Sequence, residues 1–582
     1  MTARVLIFLV LAVAILAGCR QPITIVFPSD KAELDNPVHL VASDTVTWFD
    51  GDERLGEGDH WSGFLAEGDH EIRAVALGGT ARLHVRVRPL FPLGVITPLP
   101  TGYKLPEPPD GEYVRVWGRV EEEPAPLTVQ RHKASPSLRR RAPMDDHRMS
   151  MLGSGPIQLT AAELMYDRVA GLLKEGRPSA CGSGCVRQAR GVGLQGDTPP
   201  AQRVFKVLDL RGYGYDEMAA ELVYHGERTL AYLETGESEA VRNEVINLAQ
   251  VFDNRIQLRV QSAFGRYSDV DGNGKVILLF TRRLNTSDLA IGFFYPGDLF
   301  PASHDLPESN EAEILYLGVP EEDSFNFSPA SLAATACHEL QHLVNFSHVT
   351  LPYAADPNPP LSPVWLNEGL SHLAEDLCGY NTLGGNLAFV SRFLDHPWEI
   401  SLTSTGADGR GDSIERRGAA YLLLRYALEQ AGGVNLSSDN NLAGSGLAFT
   451  RALMSPDALT LDRIAGRATG IEDGARLLWR WWWTMVATSL EHAGVDVTDR
   501  YPWAAYAPPI PDSATGDELG VDLFRGEIGL GGYTFSLEGL RFAEDCSMFN
   551  LPIKAFCVEE TTTPVPKQAL STRYSLQVLR VR

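Results

Sequence analysis

The chain has no apolar run long enough to cross a bilayer as a helix. Its one extended early stretch, Val5 to Leu16, is 12 residues, against the roughly 20 that a span requires. Positive charge is also scarce: 51 Lys and Arg stand against 74 Asp and Glu, a formal net charge of −23. That balance lacks the basic footprint of a nucleic-acid-binding protein and leaves an acidic, solvated surface. Seven cysteines in 582 residues are too few to build a fold from disulfides, so the cores must come from apolar burial. With 44% apolar and 21% charged residues the composition is that of a globular protein, and the length suits three or four folding units rather than one.

The N-terminus reads as an export signal. Arg4 precedes the short apolar stretch, which ends in Leu16-Ala17-Gly18-Cys19, small residues ahead of a cleavage point. Leu-Ala-Gly-Cys resembles the lipobox of bacterial lipoproteins, which implies lipidation of Cys19 and anchorage to the cell envelope by lipid alone; an ordinary signal peptide is the plainer alternative. Six cysteines then remain, an even set suited to disulfides in an exported chain. Proximity favours Cys181 with Cys185 and Cys546 with Cys557, leaving Cys337 with Cys378; two buried free thiols are the alternative for the last pair.

Residues 1–19 are therefore read as the signal. Short β-branched runs over 20–89, such as Ile23 to Phe27 and the alternating Leu83-His84-Val85-Arg86-Val87, predict a β-sandwich; Leu65 to Ile72 is similar to bacterial Ig-like domains. Prolines from Pro89 to Pro109 open a linker and candidate pro-region over 90–200, which carries the basic runs Arg131-His132-Lys133 and Arg139-Arg140-Arg141. A mixed α/β domain with a mainly helical second half follows over 201–500. It has a hairpin around His225-Gly226, a buried strand at Val276 to Phe280 and helices from 328. Residues 501–582 return to β-like runs.

The chemistry lies at His338-Glu339-Leu340-Gln341-His342. On a helix, two histidines four apart share one face, about 6 Å apart at Cβ. They converge on one tetrahedral Zn²⁺, and the glutamate between them reaches a metal-bound water as general base. Ser328 as N-cap and Pro329 at the first helical position support a helix there. A second segment, Trp365-Leu366-Asn367-Glu368-Gly369-Leu370-Ser371, lies downstream, with 25 residues separating His342 from Glu368. Glu368 supplies the third protein ligand that catalytic zinc requires.

These two motifs resemble those of the gluzincin metallopeptidases. More narrowly, His338 to Phe346 with Trp365 to Ser371, and the run Asp269 to Val276, look like the hyicolysin family of secreted metallopeptidases. The resemblance covers about residues 201–500 and implies a thermolysin-like helix pair holding zinc, with activity as an endopeptidase on protein or peptide substrates. Departures are visible. The spacer to Glu368 is long and proline-rich, and His372 stands where thermolysin-like relatives carry an aspartate that supports a ligand histidine. His372 is thus a rival third ligand, and Glu375 or Asp376 a candidate to orient a histidine. Tyr421 and Tyr380 are candidate oxyanion donors, with a packed aromatic the favoured reading of each.

Asp269, Asp271, Asn273 and the Lys275 carbonyl occupy EF-hand-like positions, but Phe280 stands where the bidentate glutamate belongs. A Ca²⁺ site there needs a distant carboxylate; otherwise the segment is a turn. Trp479, Trp481, Trp482 and Trp483 at helical spacing read as core. The other function classes weighed are a non-catalytic envelope adhesin or scaffold, disfavoured because all three ligands and Glu339 are present, and an aminopeptidase, disfavoured because no Gly-x-Met-Glu-Asn motif occurs. The oligomeric state is not legible.

Overall fold

A computed structural model describes residues 23–88 (apart from 36–37, 64 and 77), 96–99, 112–120, 169, 171–173 and 198–580, with breaks at 211–213, 288, 357, 404–411, 469–470, 496–498, 531–532, 544–545, 547–554 and 562–574. Cys19, the two basic runs, and Cys181 with Cys185 lie outside these residues. The chain forms two compact units, residues 1–117 with 542–548 and 558–582, and residues 118–541 with 549–557.

In the first unit, β1 (Ile25–Phe27), β2 (Ala32–Leu34), β3 (Val38–Asp50), β4 (Glu53–Gly63), β5 (Gly68–Ala76) and β6 (Gly79–Val87) hydrogen-bond into one sheet of order β1-β3-β5-β6-β2, with β4 on β3. Alternation sets its buried face: Leu83, Val85 and Val87 point into the core beside Leu40, Trp48 and Ile72, while His84 and Arg86 face water. β3 changes partner along its length, pairing β1 at Val41–Ala42 and β5 at Thr47–Asp50. The stretch expected as linker contains two strands, β7 (Ile96–Leu99) and β8 (Tyr113–Gly118). They pair with Phe556–Thr561 and Ser575–Arg580 from the far end of the sequence, a non-local pairing that no local pattern reports.

The second unit starts from a mixed six-stranded sheet. β9 (Gln202–Leu208), β10 (Tyr215–His225) and β11 (Thr229–Glu234) run antiparallel, and β12 (Val276–Phe280) and β14 (Ile314–Leu317) continue parallel to β11. β13 (Gly292–Phe294) closes the order as an antiparallel edge strand on β14. β12 is buried at every residue, as a parallel strand covered on both faces must be. The crossover from β11 to β12 is helical: α1 (Glu239–Val251), capped by Ser238, passes through a π-turn at Phe252–Ile256 into α2 (Gln257–Phe264). Asp253 in that turn accepts the N–H groups of Glu227 and Arg228 at 3.0 and 2.7 Å, which ties the helix to the β10–β11 hairpin.

The helices that matter for chemistry follow. They are α3 (Pro329–Val349), α4 (Val364–Leu377), α5 (Asn386–Asp395) and α6 (Ile414–Gln430). α3 is buried along nearly its whole length and packs against β13, β14 and α4, which makes it the central helix of this unit. A last long helix, α7 (Gly474–His492), buries Trp481, Trp482 and Trp483; Trp481 stacks on Phe393 and Trp482 on Phe556. These three tryptophans are core, and Trp479, half-buried, packs edge-on against Trp482.

Candidate metal centre

α3 begins where the sequence indicates. The Ser328 hydroxyl accepts the N–H of Ser331, and Pro329 opens the first turn. His338 and His342 then fall one turn apart, with ring centroids 4.7 Å from each other. α4 starts after Pro363 and brings Glu368 to the same place. His338 Nε2 lies 3.3 Å from Glu368 Oε2, and His342 Nε2 lies 3.7 Å from Glu368 Oε1. Ligands bonded to one tetrahedral Zn²⁺ stand roughly 3.3 Å apart, so the spacing of these donors suits that ion. All three side chains are buried.

The surrounding groups set protonation. Burial lowers His342 to about 3, which leaves it the neutral imidazole that ligates metal. Burial also disfavours a His338 cation, but the carboxylates of Glu368 and Glu375 outweigh it and raise His338 to about 10; the same carboxylates favour a metal cation there. Glu368 is held well below the ordinary carboxylate range, burial being outweighed by the Arg417 charge and by His338 and His342. Arg417 Nη1 approaches Glu368 Oε2 to 2.8 Å, yet Oε2 has no hydrogen bond of good geometry. It is a buried oxygen open to a further partner.

Around the donors is a layer of orienting groups. Glu375 Oε1 meets His338 Nδ1 at 2.7 Å and His372 Nδ1 at 2.9 Å, and His372 Nδ1 also faces Asn386 Oδ1 at 2.7 Å. Glu375 therefore sits behind His338, as a carboxylate that fixes a ligand histidine does. His372 stands on that same far side, grouped with His338 and Glu375 and apart from His342 and Glu368. At His342, Ser371 Oγ is 3.1 Å from Nδ1.

Glu339 faces the sheet edge, where its Oε2 accepts the N–H of Phe294 on β13 at 2.9 Å. Burial pushes its carboxyl up to about 7, with the His338 charge acting against the rise. A carboxyl near 7 both takes and returns a proton at neutral pH.

Three expectations are corrected. Tyr421 is not aimed at the centre: its hydroxyl donates to Asp376 Oδ2 at 3.0 Å. Asp376 does not support a ligand histidine, because its oxygens are taken by Tyr421, by Arg425 Nη1 at 3.0 Å and by the N–H of Gly520 at 2.6 Å. Cys337 and Cys378 are buried free thiols rather than a bridge; Cys337 Sγ donates to the Ala333 carbonyl within its own helix. Tyr380 meets Arg255 through its hydroxyl. Cys546 and Cys557 are each disulfide-bonded.

Sequence reasoning missed Arg417, which reaches Glu368 from α6 and also pairs with Asp412. The available signal was a charged pair, Arg416-Arg417, opening a helix whose following residues are almost all buried. It also missed Glu313, which joins Asp269 and Asp271 in a second acidic group. Lys275 turns its ammonium away, to the carbonyls of Gly226 and Glu227 at 2.6 and 2.7 Å.

Comparison with known proteins finds the neutral metalloprotease ShpI of Staphylococcus hyicus, to which the chain is 28% identical over 245 residues. That stretch is 39% of this chain and 51% of the relative, so the chain spans about half the length of the curated protein it matches. No family model matches the chain.

Proposed function

We propose that the chain is a zinc-dependent endopeptidase of the hyicolysin type, a gluzincin, in which His338, His342 and Glu368 hold the metal and Glu339 is the general base. The observation that carries this reading is the convergence of two imidazoles and one carboxylate at tetrahedral ligand spacing beside a buried glutamate. Similarity to a neutral metalloprotease supports it independently.

When bound, Zn²⁺ supplies Lewis acidity to a carbonyl and acidifies a water. The remaining roles belong to this chain. Glu375 fixes the His338 ring through Nδ1 and leaves Nε2 for the metal. Glu339, aligned by the Phe294 N–H, takes a proton from the attacking water and returns it to the leaving amine. β13 is the edge of its sheet and lies against α3, so it offers backbone groups with which an extended peptide pairs. That favours an endopeptidase, which must hold chain on both sides of the scissile bond.

The proposal extends to the rest of the molecule. The first sheet serves as an Ig-like spacer, and a lipid on Cys19 holds the chain to the envelope of a bacterial cell. Metal content and casein cleavage of the purified chain test the central reading. The account expects one zinc per chain, loss of cleavage with 1,10-phenanthroline, and recovery with added Zn²⁺. Glu368→Ala should lose both zinc and cleavage. Cleavage undiminished by the chelator, or zinc retained in full by Glu368→Ala, counts against it.

A further inference from the structure

A second group of oxygen donors lies where the parallel strands β12 and β14 begin. The loop Tyr267 to Lys275 leaves α2 and enters β12, and it carries Asp269 and Asp271. Register brings a third carboxylate beside them. β12 and β14 pair in parallel with Ile277 opposite Ile314, and the Ile277 N–H donates to the Glu313 carbonyl at 2.8 Å. Glu313 therefore sits under the loop. One oxygen from each of Asp269, Asp271 and Glu313 lies within 4.8 Å of the others.

An acidic cluster alone proves nothing, but Glu313 is unlike a solvated surface acid. Its residue is 0% exposed. Oε1 is satisfied by the Ser268 hydroxyl and the Val270 N–H, each at 2.8 Å, whereas Oε2 is buried with no hydrogen-bond partner. Among the described residues no Lys, Arg or His forms an ion pair with Asp269, Asp271 or Glu313, and Lys275 within the loop spends its ammonium on two carbonyls. Burial raises Glu313 to about 7 and Asp271 to about 6, with the neighbouring acids adding to the rise and the Arg203 charge opposing it at Asp271. Leaving the buried Glu313 oxygen unpaired is costly, and a cation shared with Asp269 and Asp271, whose oxygens accept hydrogen bonds from Gly274 and Asn273 of the same loop, offsets that cost.

We propose that Asp269, Asp271 and Glu313 bind a calcium ion, with Glu313 taking the part that Phe280 cannot play at the end of the loop. The donors are all oxygen, with no imidazole or thiolate, which selects a hard cation over zinc or copper. They come from a turn of irregular geometry, which suits the flexible coordination of Ca²⁺ better than the strict octahedron of Mg²⁺. The ion would clamp the loop onto β14. The loop is in turn tied to the metal-bearing helix, since the Ser268 N–H donates to Ser347 Oγ of α3 at 3.0 Å. Calcium is thus a structural ion that stabilises the base on which α3 rests, and it is independent of the zinc reading.

The test is calorimetric titration of Ca²⁺ and Mg²⁺ into the full chain, freed of calcium and kept zinc-loaded, alongside thermal unfolding with and without calcium. The account expects a single calcium per chain, weaker binding of Mg²⁺, and a rise of several degrees in Tm once calcium exceeds its Kd by about 100-fold. Glu313→Gln should abolish both the heat and the Tm rise. Its calcium-free Tm should equal or exceed that of the parent, because the unpaired charge is gone. Asp271→Asn, on the exposed side of the loop, gives the same loss without touching the core. Absence of calcium heat in the parent, Glu313→Gln and Asp271→Asn both titrating like the parent, or Mg²⁺ binding as tightly as Ca²⁺ would each overturn the proposal.

Discussion

Glu375 gives one carboxylate oxygen to two histidine rings, His338 and His372, and burial would protonate it were those rings not there to hold its pKa down. Glu375→Gln removes that charge with little change of volume. Zinc affinity should fall by about 10–100-fold while far-ultraviolet dichroism stays unchanged, as competition with a zinc indicator will measure. Asp298 makes the opposite case, away from the centre. It is 0% exposed, and its oxygens accept the Tyr316 hydroxyl at 2.6 Å and the Asn310 N–H at 2.7 Å, yet burial still raises its pKa to about 7. A folded-state value above the unfolded one contributes stability that is fully present below the unfolded value. That stability is lost as pH rises through 7. Denaturation midpoints of Asp298→Asn should therefore be flatter with pH than those of the parent between 4 and 7, where one such group contributes a slope of at most about 1.4 kcal/mol per pH unit. Parallel curves for the two proteins would contradict this.

The helix pair shows why its glycine matters. Gly369 follows Glu368 on α4, and a Cβ there would stand 2.8 Å from Ala420 Cβ and 2.9 Å from Leu424 Cδ1 on α6. Helix propensity alone favours alanine at this position, but the contact is too short to absorb a methyl group without separating the helices. Gly369→Ala should cost about 1–3 kcal/mol and weaken zinc binding by moving Glu368; urea unfolding with a parallel zinc titration checks both. What was legible in the sequence follows from the same geometry. His338, Glu339 and His342 lie within one helical turn, so their spacing alone forecasts a shared face. Glu368 was readable because its neighbours form a second local motif. Arg417 and Glu313 reach their partners only through helix packing and strand register, at separations of 49 and 42–44 residues in the chain. No local periodicity encodes such contacts. Tyr421 is packed, the reading favoured from the sequence, but the direction of its hydroxyl depends on Asp376, which belongs to another helix.

At the scale of the molecule, the first unit is assembled from distant parts of the chain. Ser575–Arg580 lies between β8 and β7 in the four-stranded sheet and is the partner of β7 along that sheet. Ending the chain at residue 574 would leave β7 without its pairing strand. Limited proteolysis should then cut near residues 96–118 far faster than in the full chain, while equal rates would show that the last strand is dispensable. The −23 charge fits a surface exposed to water and places no constraint on the buried centre, whose electrostatics are local. The account rests most directly on Glu339, so the decisive measurement is casein hydrolysis by Glu339→Gln, with its zinc content determined on the same sample. Zinc should remain stoichiometric while kcat/KM falls by about 100-fold or more. Hydrolysis at the parental rate with zinc in place would contradict the assignment of Glu339, and with it the proposed chemistry.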